Sequence, residues 1–407
     1  MNRRAVGAVA AQGVQALTSF VLQVAVARTL GLSGLGAFAI VYGVVVLASG
    51  VVTGFVGDSL VVLDRRHPPV RAALQQFALA LAILTGAVAG AGAALARLIT
   101  PLEAALVLLA TALFCLEEVL RRTLMARLLF WRVALIDSCG LVVVMAIVGS
   151  TALLTAPTLA TFLLALAGGQ LVALLLGVVM LPRDERFLAP FRAADRRTVA
   201  RYGTWRSLQQ FLRPALLTAV RSVVGVVVGL GATGLLEAAR VYTAPALLLV
   251  SGLSSYLFAS YAKERSGAGG VRRADRAVGA LVAMTAAMAV VAVLLLPLVG
   301  PLLFTATPDL IAVVGWLLYT VSVAAVTPYG ALAAVAGRQA VVFAVRAGDT
   351  VISLAVVVLA LLLGADPAWA PALLVVGSLI GGLVLRRVAV RAGSSAAAPV
   401  ELSTTTV

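Results

Sequence analysis

The chain has 407 residues, of which 62% are hydrophobic and 12% charged, against roughly 45–50% and 25% in a soluble domain. Water is therefore not its main solvent, and the net charge of +15 does not signal nucleic acid, because the arginines gather in alternate loops between apolar segments. Two cysteines, Cys115 and Cys139, and the single His67 make neither a disulfide framework nor a recognisable metal site, so no metal and no cofactor are expected.

Twelve apolar segments reach the ~20 residues that cross a hydrocarbon core: 5–27, 35–62, 73–98, 102–121, 133–154, 157–181, 205–229, 234–262, 277–300, 309–336, 339–364 and 369–390. The first follows Asn2-Arg3-Arg4 but is longer than the apolar core of a signal peptide, which predicts a retained helix. It carries Gln12, Gln15, Ser19 and Gln23 at helical spacing, a polar stripe expected to face a central cavity or another helix rather than lipid. Arg28 stands at its outer end. In the third span Gly86, Gly90 and Gly92 predict close helix approach, as do Gly377, Gly381 and Gly382 in the twelfth. Asp58, Glu117, Glu118, Asp137 and the pair Arg346 and Asp349 fall towards cytoplasmic ends, where water is expected to reach them. Pro245 and Pro328 sit mid-span and predict kinks.

The seventh span holds Gln209, Gln210, Arg213 and Arg221. An offset of eight residues returns to within about 80° of the same helix face, so a cationic stripe enters the membrane. An arginine at mid-bilayer costs roughly 2.5–3.5 kcal/mol on insertion scales and is tolerated opposite a cavity or a partner. Two readings follow: an anion-binding site, or a structural network with Glu237 and Arg240 of the eighth span.

Arginines crowd one set of loops (Arg65, Arg66 and Arg71; Arg121 to Arg132; Arg183 to Arg206; Lys263 to Arg276; Arg386 to Arg391), whereas the opposite set has only Arg28 and Arg97. The positive-inside rule then places both termini in the cytoplasm and requires an even number of crossings. The stretch Leu30 to Tyr42, with Gly31 and Gly34, returns 200 positions later as Leu230 to Tyr242, with Gly231 and Gly234. This repeat predicts a duplicated unit and, with six crossings in each half, two parallel repeats. The expected organisation is a six-helix bundle over 1–181, a basic cytoplasmic linker over 182–204, a second six-helix bundle over 205–392 and a disordered cytoplasmic tail over 393–407. Arginine accounts for all but one of the basic residues, which fits a GC-rich bacterial genome and hence a bacterial inner membrane.

Residues Ala27-Arg28-Thr29-Leu30-Gly31-Leu32-Ser33-Gly34-Leu35-Gly36-Ala37-Phe38 resemble the signature that opens the polysaccharide, or O-antigen, flippases. These Wzx-like proteins belong to the multidrug/oligosaccharidyl-lipid/polysaccharide exporter superfamily. Leu35 departs from the pattern, where the family often has an aromatic residue. The resemblance implies an all-α polytopic protein of about twelve helices in two parallel bundles, a V-shaped exporter that flips a polyprenyl-diphosphate-linked oligosaccharide to the outer leaflet. It also implies a cationic cavity. Arg221, Arg213 and Arg240 suit that cavity by charge and place, while Arg28 lies on the signature itself, and Gln12, Gln15, Ser19, Gln23, Gln210 and Glu237 are its expected polar lining. The expected partners are the lipid-linked substrate, membrane lipid and a polysaccharide polymerase or glycosyltransferases.

Other classes fit less well. Asp64-Arg65-Arg66 faintly resembles the Asp-Arg loop of major facilitator permeases but lacks its flanking glycines. A drug exporter of the same superfamily would share the fold, yet the first span has no carboxylate. A membrane-embedded glycosyltransferase would need paired catalytic groups near the interface, and Glu117 and Asp137 form no recognisable motif; a scaffold remains the further alternative. The chain is thus expected not to be an enzyme.

Overall fold

The computed structural model describes residues 3–186, 193–263, 270–304, 306–335 and 338–396. Every regular element among them is helical. The first unit holds α1 (Arg3–Val52), a π-helical turn (Thr53–Gly57), α2 (Asp58–Val62), α3 (Pro68–Leu95), α4 (Pro101–Ala126), α5 (Phe130–Leu154), α6 (Leu159–Met180) and α7 (Arg196–Val227). Then come α8 (Leu230–Lys263), α9 (Gly270–Leu303), α10 (Leu310–Val335), α11 (Gln339–Leu362) and α12 (Ala370–Ala396). Among the described residues nine helices are long and apolar enough to cross a membrane, and the first of them, Val6–Val62, has 57 residues, enough for two crossings. The protein is a multi-pass helical membrane protein.

Each expected span falls on a helix or, for the first two, on an arm of α1, the second running on through the π-helical turn and α2. The arms divide at Gly31, whose φ of 69° and ψ of −169° leave helical space. A residue with a Cβ would be strained there. Other helix starts follow local chemistry. Prolines fill the first turns of α3 and α4, where their missing N–H costs nothing, and Thr100 and Glu103 close a reciprocal cap on α4. Asp195 caps α7 by accepting from the Thr198 N–H at 3.1 Å, and these Thr198 bonds hold the Asp195 carboxyl below its usual range. Through this cap α7 begins at Arg196, inside the stretch expected to be linker. At the other end α12 continues to Ala396, and the rest of the expected tail, 397–407, lies outside the described residues.

The chain divides into two compact units, Met1–Glu237 and Ala238–Val407. In the first, α3 packs on α4, α4 and α5 on α6, and α5 and α7 on α1. Gly86 and Gly90 permit the α3–α4 approach: a Cβ on them would stand 2.7 Å from the Leu108 carbonyl and 2.6 Å from the Ala104 carbonyl, whereas Gly92 has open space. In the second unit α10 packs on α9 and α12, and α12 on α11. There a Cβ on Gly381 would come within 2.6 Å of Asp349 Oδ2. Helix faces turned away from protein carry Val226, Leu95 and Leu153, each more than four-fifths exposed, which is the surface hydrocarbon requires.

Candidate functional site

The site is built along the seam between the second arm of α1 and α7, within the first unit. Glycines on the arm and in the π-helical turn that follows it face α7 in succession. A Cβ on Gly54 would meet Ser207 Cα at 2.6 Å, one on Gly50 the Gln210 carbonyl at 3.4 Å, and one on Gly43 the Arg221 NH1 at 2.7 Å. At the far end a Cβ on Gly36 would run into the Leu230 carbonyl, and one on Gly234 into that of Leu32. The two copies of the duplicated turn are therefore in backbone contact. At the opposite end Arg206 donates to Asp58 Oδ2 from Nε at 3.0 Å and from NH2 at 2.7 Å, and the Ser207 hydroxyl donates to the Val51 carbonyl at 3.1 Å.

Arg221 lies between these ends. Its Nε–H donates to Glu237 Oε2 at 3.0 Å and its NH2 to Oε1 at 3.4 Å, so the planar guanidinium meets the carboxylate edge to edge. The Arg221 side chain is 12% exposed and that of Glu237 2%. NH1 and the hydroxyl of the buried Thr218 both lie beside Gly43. A charged pair of this kind can recognise an anion wherever an incoming oxyanion offers two acceptors in place of the carboxylate.

The remaining expected residues are dispersed. Gln210 and Arg213 are exposed on α7, Arg28 is exposed just before the Gly31 break, and Arg240 is half-buried in the second unit. The polar stripe of the first arm turns partly onto its own helix: the Gln23 amide donates to the Ser19 carbonyl at 3.0 Å, and the Ser19 hydroxyl to the Ala16 carbonyl at 3.0 Å. Gln23 is buried, Gln15 and Ser19 are half-buried and Gln12 is exposed.

The structure corrects one expectation. Glu117 and Glu118 are 3% and 6% exposed and are not reached by water. They surround Arg121, itself 1% exposed, whose NH1 donates to Glu118 Oε2 at 2.6 Å. Its Nε lies 3.6 Å from Glu117 Oε1, and its NH2 lies 3.2 Å from Asp137 Oδ2 on α5. A second network joins the loop before α3, the end of α4 and the turn after α6. Glu185, also 3% exposed, accepts from Arg65 at 3.0 Å and pairs with Arg127 at 3.4 Å. Arg71 donates to the Asp184 carbonyl. The basic loops thus carry specific ion pairs. The only trace of these groupings in the sequence is the helical spacing of Glu117, Glu118, Arg121 and Arg122, which is compatible with a solvated surface.

No protein-family model and no curated protein matches the sequence. Solved structures do match the fold. The chain superposes on the inward-facing conformation of a multidrug resistance MATE family transporter of the MOP superfamily with a TM-score of 0.69 and 14% identity, covering 96% of this chain and 100% of that one. A MATE transporter in complex with MaL6 gives 0.65 and 15%, covering 96% and 95%. A MOP superfamily transporter from Pyrococcus furiosus, described by a binding pocket of reverse polarity that suggests a different function, gives 0.62 and 14%, covering 96% and 93%. With twelve apolar segments on its helices and a likeness spanning nearly all of its length, the chain has the fold of the MATE transporters of the MOP superfamily.

Proposed function

We propose that the protein is an alternating-access transporter of the bacterial inner membrane that flips a polyprenyl-diphosphate-linked oligosaccharide from the inner to the outer leaflet, with Arg221 receiving the diphosphate. The transporter fold supports the general class, and the Ala27–Phe38 signature supports the flippase branch. The observation that carries the reading is the edge-to-edge Arg221–Glu237 pair beside Gly43. A diphosphate presents the same two-oxygen edge with more charge, so it can replace Glu237 on the guanidinium, and the freed carboxylate restores the pair once the substrate leaves. In this reading Arg213 and Arg28 add positive potential around Arg221, Arg240 is a substrate-binding cation of the second unit, and 1–181 and 205–392 act as the two repeats. Both termini lie in the cytoplasm.

Cells depleted of the protein are expected to accumulate a polyprenyl-diphosphate glycan, read by lipid extraction and mass spectrometry, while the matching surface polysaccharide disappears. Arg221→Ala should reproduce this with normal protein levels, and Arg221→Lys should restore part of the flux, since lysine keeps the charge but not the fork. An unchanged lipid pool with normal surface glycan would refute the substrate. The second reading, export of a drug or another solute, is favoured by the multidrug transporters that share the fold. It predicts instead that depletion raises sensitivity to toxic organic solutes and leaves the glycan pool unchanged.

A further inference from the structure

The cluster between α4 and α5 does not take part in the proposed transport site. It contains three carboxylates, Glu117, Glu118 and Asp137, around one guanidinium whose side chain is 1% exposed; among the described residues the only other cation in contact is Arg122, 36% exposed, which reaches Glu118 at 3.1 Å. With every group ionised, the buried part would hold three negative charges against one positive. Apolar surroundings do not sustain such an excess, and where carboxylates share a site one of them keeps its proton. The hydrogen bonds identify which. Glu118 accepts from both Arg121 and Arg122 and stays ionised. Glu117 Oε1 and Asp137 Oδ2 are buried and meet Arg121 Nε and NH2 as ion pairs without a well-formed hydrogen bond on either side, and Glu117 stands farther from the guanidinium, at 3.6 Å against 3.2 Å. Among the described residues no further cation pairs with these carboxylates, and Cys115, one turn before Glu118 on α4, is buried and meets Thr85 of α3 at 3.8 Å.

We infer that Glu117 is a proton-binding site, a carboxylic acid that remains neutral at physiological pH and exchanges its proton as the Arg121 environment changes. Asp137 is its nearest competitor across the guanidinium. The inference concerns a different part of the first unit from Arg221 and does not depend on the substrate proposed above.

The test uses the full chain purified in detergent. A hydrophobic carbodiimide attacks a protonated carboxylic acid in an apolar site and converts it to a stable acylurea, so tandem mass spectrometry of the wild-type protein at pH 7.5 reads the proton directly. Roughly tenfold more adduct is expected at Glu117 than at Glu118, corresponding to at least one unit of separation between their affinities for the proton. Infrared spectroscopy supplies an independent reading, since the carbonyl band of a neutral acid should be present in the wild type and lost in Glu117→Gln. Absence of adduct at Glu117 together with absence of that band would overturn the inference, as would a band that persists undiminished in a folded Glu117→Gln protein. If the variant fails to fold, the wild-type adduct distribution still decides.

Discussion

Among the described residues Arg121 is the largest fully buried side chain, and its energetics differ in kind from those of Arg221. Desolvating a guanidinium is costly, and the cost is recovered only through the carboxylates that surround it, so removing the cation leaves buried charge uncompensated. Arg121→Met is expected to destabilise the first unit by about 3–5 kcal/mol, visible as a large fall in the thermal unfolding midpoint in detergent. A melting curve equal to that of the wild type would show that the cluster is wetter than its burial indicates. Replacing Arg121 together with Glu118 and Asp137 by apolar residues of similar volume should restore much of the loss, because that substitution removes the charges as well as their partner. The sequence displays the spacing of Glu117, Glu118, Arg121 and Arg122, which any exposed helix can show. It does not display that Asp137, on the next helix, closes the far side of the guanidinium. In the same way Arg65 and Glu185 are 120 positions apart, and nothing local to either residue announces the pair.

At the level of elements, the helices themselves were legible because hydrocarbon leaves the chain little choice: every backbone polar group must be satisfied within its own segment, and ~20 apolar residues are needed to cross. What lies between helices was less so. Gly36, Gly43 and Gly50 recur every seven residues, but what they admit, the start of α8 at Gly36 and α7 at Gly43 and Gly50, is decided far along the chain. The duplicated turn takes a different register in its two copies. Gly31 breaks the first copy, whereas in the second the left-handed turn falls on Gly229, with φ at 120°, and Gly231 already lies in the first turn of α8. This asymmetry yields a discriminating experiment. Gly36→Leu and Gly234→Leu drive a side chain into a facing backbone carbonyl, where nothing flexible can yield, while Gly231→Leu enters open space. The first two are expected to lower folded yield and melting temperature, by more than the 1–3 kcal/mol of ordinary overpacking, and the third to leave both near the wild type. Equal tolerance of all three would mean that the turns do not touch.

For the whole molecule, composition settled the solvent and the arginine distribution predicted the orientation, but the packing of α7 along α1 could not be read from either. Hydropathy marks where segments begin and end and is silent about which neighbours they choose, so the compact units divide within α8 at a point no change of composition marks. Orientation rests on a different physical cause, the asymmetry of charge between the two sets of loops, and it can be checked without any knowledge of substrate. After Cys115 and Cys139 are replaced by alanine, single cysteines are introduced as Arg66→Cys, in the exposed loop before α3, and Thr155→Cys, in the exposed loop after α5. A maleimide that cannot cross the membrane should label Thr155→Cys in intact spheroplasts and should reach Arg66→Cys only after permeabilisation. The reverse pattern would invert the molecule. It would place the Arg65–Glu185–Arg127 network on the outer face and Arg221, six residues before the end of α7, towards the cytoplasmic end of its helix. A diphosphate would then meet the guanidinium before rather than after crossing, and the role proposed for Glu237 in restoring the pair on release would have to be abandoned.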